Sequence, residues 1–187
     1  MLWDMIPLVD DAAVAAVKAR GDVRAIAISH PHYYSGMVEW SNALGRVQGD
    51  TVPILLHEAD REWIMRPDPK IELWAGDVKE LGGGLTLLRL GGHFPGGTVL
   101  HDAGRSTLLS GDIVMVIPDR RFVSFMWSYP NLIPLPGAEV ERIAAALEGW
   151  EFDRILGAWW ERLVPNNGSE VVRRSAARYA ARVTSRA

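Results

Sequence analysis

The chain has 187 residues, 48% hydrophobic and 23% charged, with a formal net charge of -3 and no cysteine. That composition is ordinary for a globular chain and large enough to bury a core as a single domain over 1–187, while the acidic balance supplies no field for nucleic acid or an anionic membrane. No run of about 18 apolar residues is available to span a bilayer. Without thiolates any metal must be held by His, Asp or Glu, and a cytoplasmic location is the default expectation.

Taken in order, Leu2 to Ile6 reads as a strand and Asp10 to Arg20 as a helix, with Asp10 or Asp11 as N-cap and Gly21 as the stop. The N-terminal stretch lacks the basic start and cleavable apolar segment of a secretory signal. Val23 to Ile28 is the next strand, Met37 to Leu44 a short helix, Pro53 to Leu56 a strand, and Arg61 to Met65 a helical turn ended by Pro67 and Pro69. From Ile71 the pattern turns to strands: Ile71 to Trp74, Leu85 to Leu90, Gly97 to His101 and Thr107 to Ser110, the last two joined by a hairpin at Asp102 to Arg105. Phe122 to Trp127 predicts a further strand or a lid, and Asn131 to Pro136 a loop. Ala138 to Leu147 is a helix, Arg154 to Gly157 a short strand, and Ser169 to Val183 an amphipathic helix with a solvated arginine face. Strands covered by helices point to an α/β layered fold.

Chemistry concentrates at Ser29-His30-Pro31-His32-Tyr33-Tyr34-Ser35-Gly36, just past a strand end. Pro31 pushes His30 out of the helical region, and an extended backbone points His30 and His32 to the same side. Two neutral imidazoles are half of a metal site. Gly91-Gly92-His93-Phe94-Pro95-Gly96-Gly97 and Ser110-Gly111-Asp112 each end a strand, which places His93 and Asp112 on one rim, where open α/β sheets carry their chemistry. Three imidazoles and a carboxylate suit zinc, or iron or manganese if coordination expands.

His30-Pro31-His32, Gly92-His93-Phe94-Pro95-Gly96 and Ser110-Gly111-Asp112, in this order, resemble the metallo-β-lactamase-fold superfamily of metallohydrolases. Leu2-Trp3-Asp4 is similar to the family's apolar strand ending in aspartate before its first helix. The resemblance implies an α/β (α+β) fold, the αββα sandwich, here lacking its first strands. Exposed strand edges left by that loss invite a homodimer. Two departures accompany it. Where the family pattern H-x-H-x-D-H places aspartate and histidine, Tyr34 and Ser35 stand. Where a late histidine is expected, near Ile155 to Trp159, Trp159 stands, and an indole is only a donor. The second-metal position is thereby dismantled, while His30, His32, His93 and Asp112 remain for one metal, with Zn2+ the leading choice and Fe or Mn the others.

The resulting expectation is a single-metal hydrolase of a small ester, thioester or lactone acting through a metal-activated water, with Asp112 and Tyr34 as catalytic residues. Tyr34, a neutral phenol, would donate a hydrogen bond to the developing oxyanion. The alternative is a non-catalytic scaffold of the same fold that binds a ligand or partner. Beside these, His57, Glu58 and Asp60 read as helix-capping groups or, as the lesser alternative, additional ligands, His101 as structural, and Pro118 to Arg121 as a solvated turn or an anion site. Phe122, Phe125, Trp127, Tyr129, Trp159 and Trp160 are divided between core packing and an apolar substrate cleft.

Overall fold

The structure is a computed structural model that describes residues 1–45 and 51–184. These group into two compact units, Met1–Ala75 and Gly76–Ala187.

The first unit is a four-stranded parallel sheet in the order β1 (Leu2–Trp3), β2 (Ile26–Ala27), β3 (Ile54–His57) and β4 (Ile71–Trp74). Its inner strands are short and uninterrupted apolar runs because parallel strands are buried on both faces. Ile26, Ala27, Ile54 and Leu56 are fully buried. Helix α1 (Asp11–Lys18) is capped by Asp10, whose carboxylate accepts from Ala13 N at 2.7 Å, as its position in the sequence predicts. Helix α2 (Met37–Leu44) buries Met37, Val38, Trp40 and Leu44 into the same core as β2 and β3. Strand β1 stops at Trp3, short of the predicted Ile6, because Asp4 takes a left-handed conformation (φ 47°) and turns the chain away.

The second unit is built on a six-stranded mixed sheet. In chain order its members are β5 (Val78–Gly82), β6 (Leu85–Arg89), β7 (Thr98–Asp102), β8 (Thr107–Gly111), then β13 (Arg154–Gly157) and β14 (Leu163–Val164). Their spatial order is β14-β13-β8-β7-β6-β5. Between them come two small ribbons, β9 (Met115–Val116) with β10 (Val123–Ser124), and β11 (Met126–Ser128) with β12 (Ile133–Pro134). Strand β12 lies inside the segment expected as a loop. Helices α3 (Gly137–Ala146) and α4 (Gly168–Thr184) share a core with the sheet through Val140, Ile143, Val171, Val172 and Ala176. Ser175 ties α4 to β10: its buried hydroxyl donates to Val171 O and accepts from Val123 N.

Strand direction determines which residues meet at one rim. Strands β6 and β8 are each antiparallel to β7, so they run the same way, and β13 is parallel to β8. The segments that follow β6, β8 and β13 therefore leave the sheet at the same edge. Those segments carry His93, Asp112 and Trp159. Among the described residues no helix is long and apolar enough to cross a membrane.

Candidate metal centre

In the first unit the chemistry begins at Asp4 and runs to His32. Asp4 accepts from Ser29 N at 2.7 Å and from Ser29 Oγ at 2.9 Å, one bond to each carboxylate oxygen. Ser29 Oγ lies 2.8 Å from His30 Nδ1. With its one proton committed to Asp4, the serine hydroxyl accepts from His30 Nδ1–H. That tautomer leaves the lone pair of His30 on Nε2, and Nε2 is 3.2 Å from His32 Nδ1. At this separation two imidazole nitrogens either share one proton or flank one cation. Tetrahedral zinc with Zn–N bonds of about 2.0–2.1 Å requires nitrogens about 3.3 Å apart. The pair fits that edge.

The backbone reason differs from the sequence expectation. His30 is extended (φ -168°, ψ 169°), as a residue before proline should be, but Pro31–Tyr33 then form a single 3-10 turn. The imidazoles converge because the turn brings His32 back beneath His30. An extended H-x-H alternation is not what aligns them. His30 is wholly buried and His32 exposed, so the pair spans from protein interior to solvent.

Tyr34 follows the turn and packs half-buried against the core beneath α2. Burial, reinforced by the negative charges of Asp60 and Asp4, pushes its phenol far above the ordinary tyrosine range. It is therefore a neutral donor at any physiological pH.

In the second unit His93 is held in the loop after β6. Leu90 N and Gly91 N both donate to Gly97 O, at 2.8 and 2.9 Å, closing the loop on itself. Gly92 is left-handed (φ 81°), and a Cβ on Gly97 would meet Ile113 Cδ1 at 2.7 Å and Gly91 O at 2.8 Å. Both glycines are therefore geometric requirements of the loop. His93 Nδ1 is 2.9 Å from Trp127 O, and since a carbonyl only accepts, the proton is on Nδ1 and the lone pair on Nε2. Asp112 comes directly after β8 and is buried like His93. Tyr129 joins the two: its ring centroid is 5.5 Å from that of His93, and its hydroxyl donates to Asp112 O at 2.9 Å. Trp159 Nε1 donates to Asp112 Oδ1 at 3.3 Å. His30 and His93 thus share one arrangement, with Nδ1–H anchored on protein oxygen and Nε2 offered as a base. Backbone carbonyls commonly fix metal-binding histidines in this way. The anchoring oxygens of Ser29 and Trp127 carry no motif and were not anticipated from sequence.

Other sequence candidates fall elsewhere. His57 caps the 3-10 turn Glu58–Trp63, accepting from Ala59 N at 3.1 Å, and stands edge-on to Trp74. The capping role expected for this cluster is real, but the imidazole performs it, while Asp60 is buried. His101 Nε2 donates to Glu151 O at 2.9 Å and is structural. Arg121 pairs with Asp119, whose carboxyl is held down at about 2 by that guanidinium. Pro118 to Arg121 is a solvated turn. Of the aromatic residues, Phe125 is core, whereas Trp127, Trp159 and Trp160 are exposed.

No protein-family model matches the chain. Among solved structures, the DIM-1 metallo-β-lactamase superposes with a TM-score of 0.70 over 97% of this chain and 80% of its own length, at 14% identity. The protein TTHA1623 in a di-iron-bound form superposes with a TM-score of 0.61, covering 92% of this chain and 86% of that one, at 19% identity. The fold that the resemblance implies is borne out: this is a metallo-β-lactamase-fold protein. In sequence it is similar to the uncharacterized protein YmaE of Bacillus subtilis (strain 168), 46% identical over 183 residues that make up 96% of this chain. The chain spans 64% of the length of that relative. His30 and His32 of the first unit, and His93 and Asp112 of the second, are residues that could serve as metal ligands.

Proposed function

We propose that the two units act as one domain and that the protein is a hydrolase of a small ester, thioester or lactone, with one divalent metal held by His30, His32, His93 and Asp112. The observation that carries the proposal is the imidazole pair of the first unit. A carboxylate–serine–histidine relay fixes His30 so that its Nε2 lone pair faces His32 Nδ1 at 3.2 Å. A purely structural histidine would have no need of an inward base beside a second imidazole. His93, with the same tautomer, and Asp112 complete a set of three neutral donors and one anion, which suits zinc and, with more ligands, iron or manganese. A metal bound there would supply Lewis-acid polarisation of a substrate carbonyl and a water of lowered pKa. The chain's own residues orient the reactants around it. Tyr34, neutral because it is buried near two aspartates, donates to the oxygen on which negative charge develops. Asp112 would contribute a carboxylate whose negative charge offsets that of the cation.

A panel of chromogenic esters, thioesters and lactones, assayed with zinc, manganese or ferrous iron and again after chelation, tests the reading. Turnover is expected to follow the metal and to disappear with chelation. Tyr34→Phe is expected to lower kcat by about 100-fold while KM changes little. Undiminished turnover in that variant removes the donor role. Silence across the panel, by a chain that still binds metal, favours the alternative of a non-catalytic ligand-binding scaffold. Tyr34 and Trp159, at places where the family carries ligands, are the observations on that side.

A further inference from the structure

Trp159 is placed with more care than an exposed side chain needs. Trp159 is 58% exposed and Trp160 96%, so core packing explains neither. The turn that carries them is nonetheless tied down at several points. Gly157 N donates to Arg162 O at 2.9 Å and Arg162 N to Trp159 O at 3.0 Å. Arg120 bridges the turn to the β9 end, donating to both Ile117 O and Glu161 O. Glu161 accepts a left-handed conformation (φ 60°) within this turn. Gly157 of β13 pairs with Gly111 of β8, which sets the turn beside Asp112. What the arrangement delivers is one contact, the indole N–H on Asp112 Oδ1.

The chemistry of that contact is specific. An indole N–H donates and has no lone pair, so it cannot itself ligate a cation. It can only donate, and here its one proton is given to a carboxylate oxygen of Asp112. Tyr129 O–H meanwhile fixes the main-chain carbonyl of the same residue, so Asp112 is restrained at both backbone and side chain. We propose that Trp159 is a positioning residue that occupies Asp112 Oδ1 and fixes the carboxylate's rotation. The carboxylate is then presented to a metal in one orientation. This rests on the metal reading given under Proposed function. Loss of a hydrogen bond that orients a metal ligand typically lowers affinity by about 10–100-fold.

The test uses the full chain, stripped of metal and titrated with Zn2+ against a chromophoric competitor chelator. Wild type is expected to bind one Zn2+ per chain. Trp159→Phe, which keeps the ring and deletes the N–H, is expected to bind it about 10–100-fold more weakly, with the metal-free melting temperature unchanged. Trp160→Phe, in the same turn, should bind as wild type does. Equal affinity in Trp159→Phe and wild type, or equal weakening in Trp160→Phe, would each overturn the inference while leaving a metal site standing. A wild-type chain that takes up no Zn2+, Mn2+ or Fe2+ would overturn the metal reading itself.

Discussion

His30→Ala is expected to abolish tight metal uptake, lowering affinity by more than about 100-fold, and to remove any metal-dependent turnover with it. The estimate exceeds the range of about 10–100-fold for deleting a residue that merely orients a ligand, because here the ligand itself is lost. His30 is firmly held. It is wholly buried, its Nδ1–H is held by Ser29 Oγ, and Ser29 is held by both oxygens of Asp4. Its Nε2 has therefore little freedom to be replaced by water from another direction. The fitting comparison is His101→Ala, which deletes another buried imidazole, one whose Nε2–H is spent on Glu151 O. That variant should lose stability but keep metal affinity. Calorimetric titration of both variants with Zn2+ separates the two roles. Weakening by the same factor in both would mean that His30 contributes only to packing.

The largest loss of stability is expected from Trp40→Ala, about 3–5 kcal/mol, which corresponds to a fall in Tm on the order of 10 °C. Trp40 is among the largest fully enclosed side chains and sits on the buried face of α2 with Met37, Val38 and Leu44. Its indole N–H donates to Ile6 O at 2.8 Å, so truncation leaves both a cavity and a carbonyl that has lost its donor. The consequence reaches the site, since α2 begins three residues after Tyr34 and packs in the same core as the segment that carries His30 and His32. Trp160→Ala, which removes a ring of equal size from solvent, should change stability by less than about 0.5 kcal/mol. Thermal and urea unfolding monitored by circular dichroism would measure both. A loss under about 1 kcal/mol at Trp40 would contradict the packing described for the first unit.

Sequence alone carried the fold class and named the candidate donors, because both are written in residue types. Histidines and an aspartate at strand ends, glycines around His93, and the Asp10 cap are chemistry that no other residues supply. The bounds of Met37–Leu44, Ile71–Trp74 and Arg154–Gly157 were legible for a similar reason, a clear apolar pattern ended by glycine or a turn. Features that depend on tertiary context were not legible. The 3-10 turn at Pro31–Tyr33 has the same local sequence as an extended H-x-H, and residue types do not decide between them. Strand β5 was missed because Val78-Lys79-Glu80-Leu81-Gly82 is a largely exposed edge strand with few apolar residues to announce it. Strand β14 is two residues long, too short to carry a period. The partners that fix the imidazoles are a serine hydroxyl and the main-chain carbonyl of Trp127, and a carbonyl has no residue type to recognise. Trp159 was expected at the place of a ligand, but its N–H on Asp112 is visible only in three dimensions.

The most direct test of the account is the metal content of the untagged full chain, measured by inductively coupled plasma mass spectrometry beside His93→Ala. One zinc, iron or manganese per wild-type chain, lost in the variant, is the predicted result. A wild-type chain with no metal after purification, and no thermal stabilisation by any of the three on addition, would contradict it.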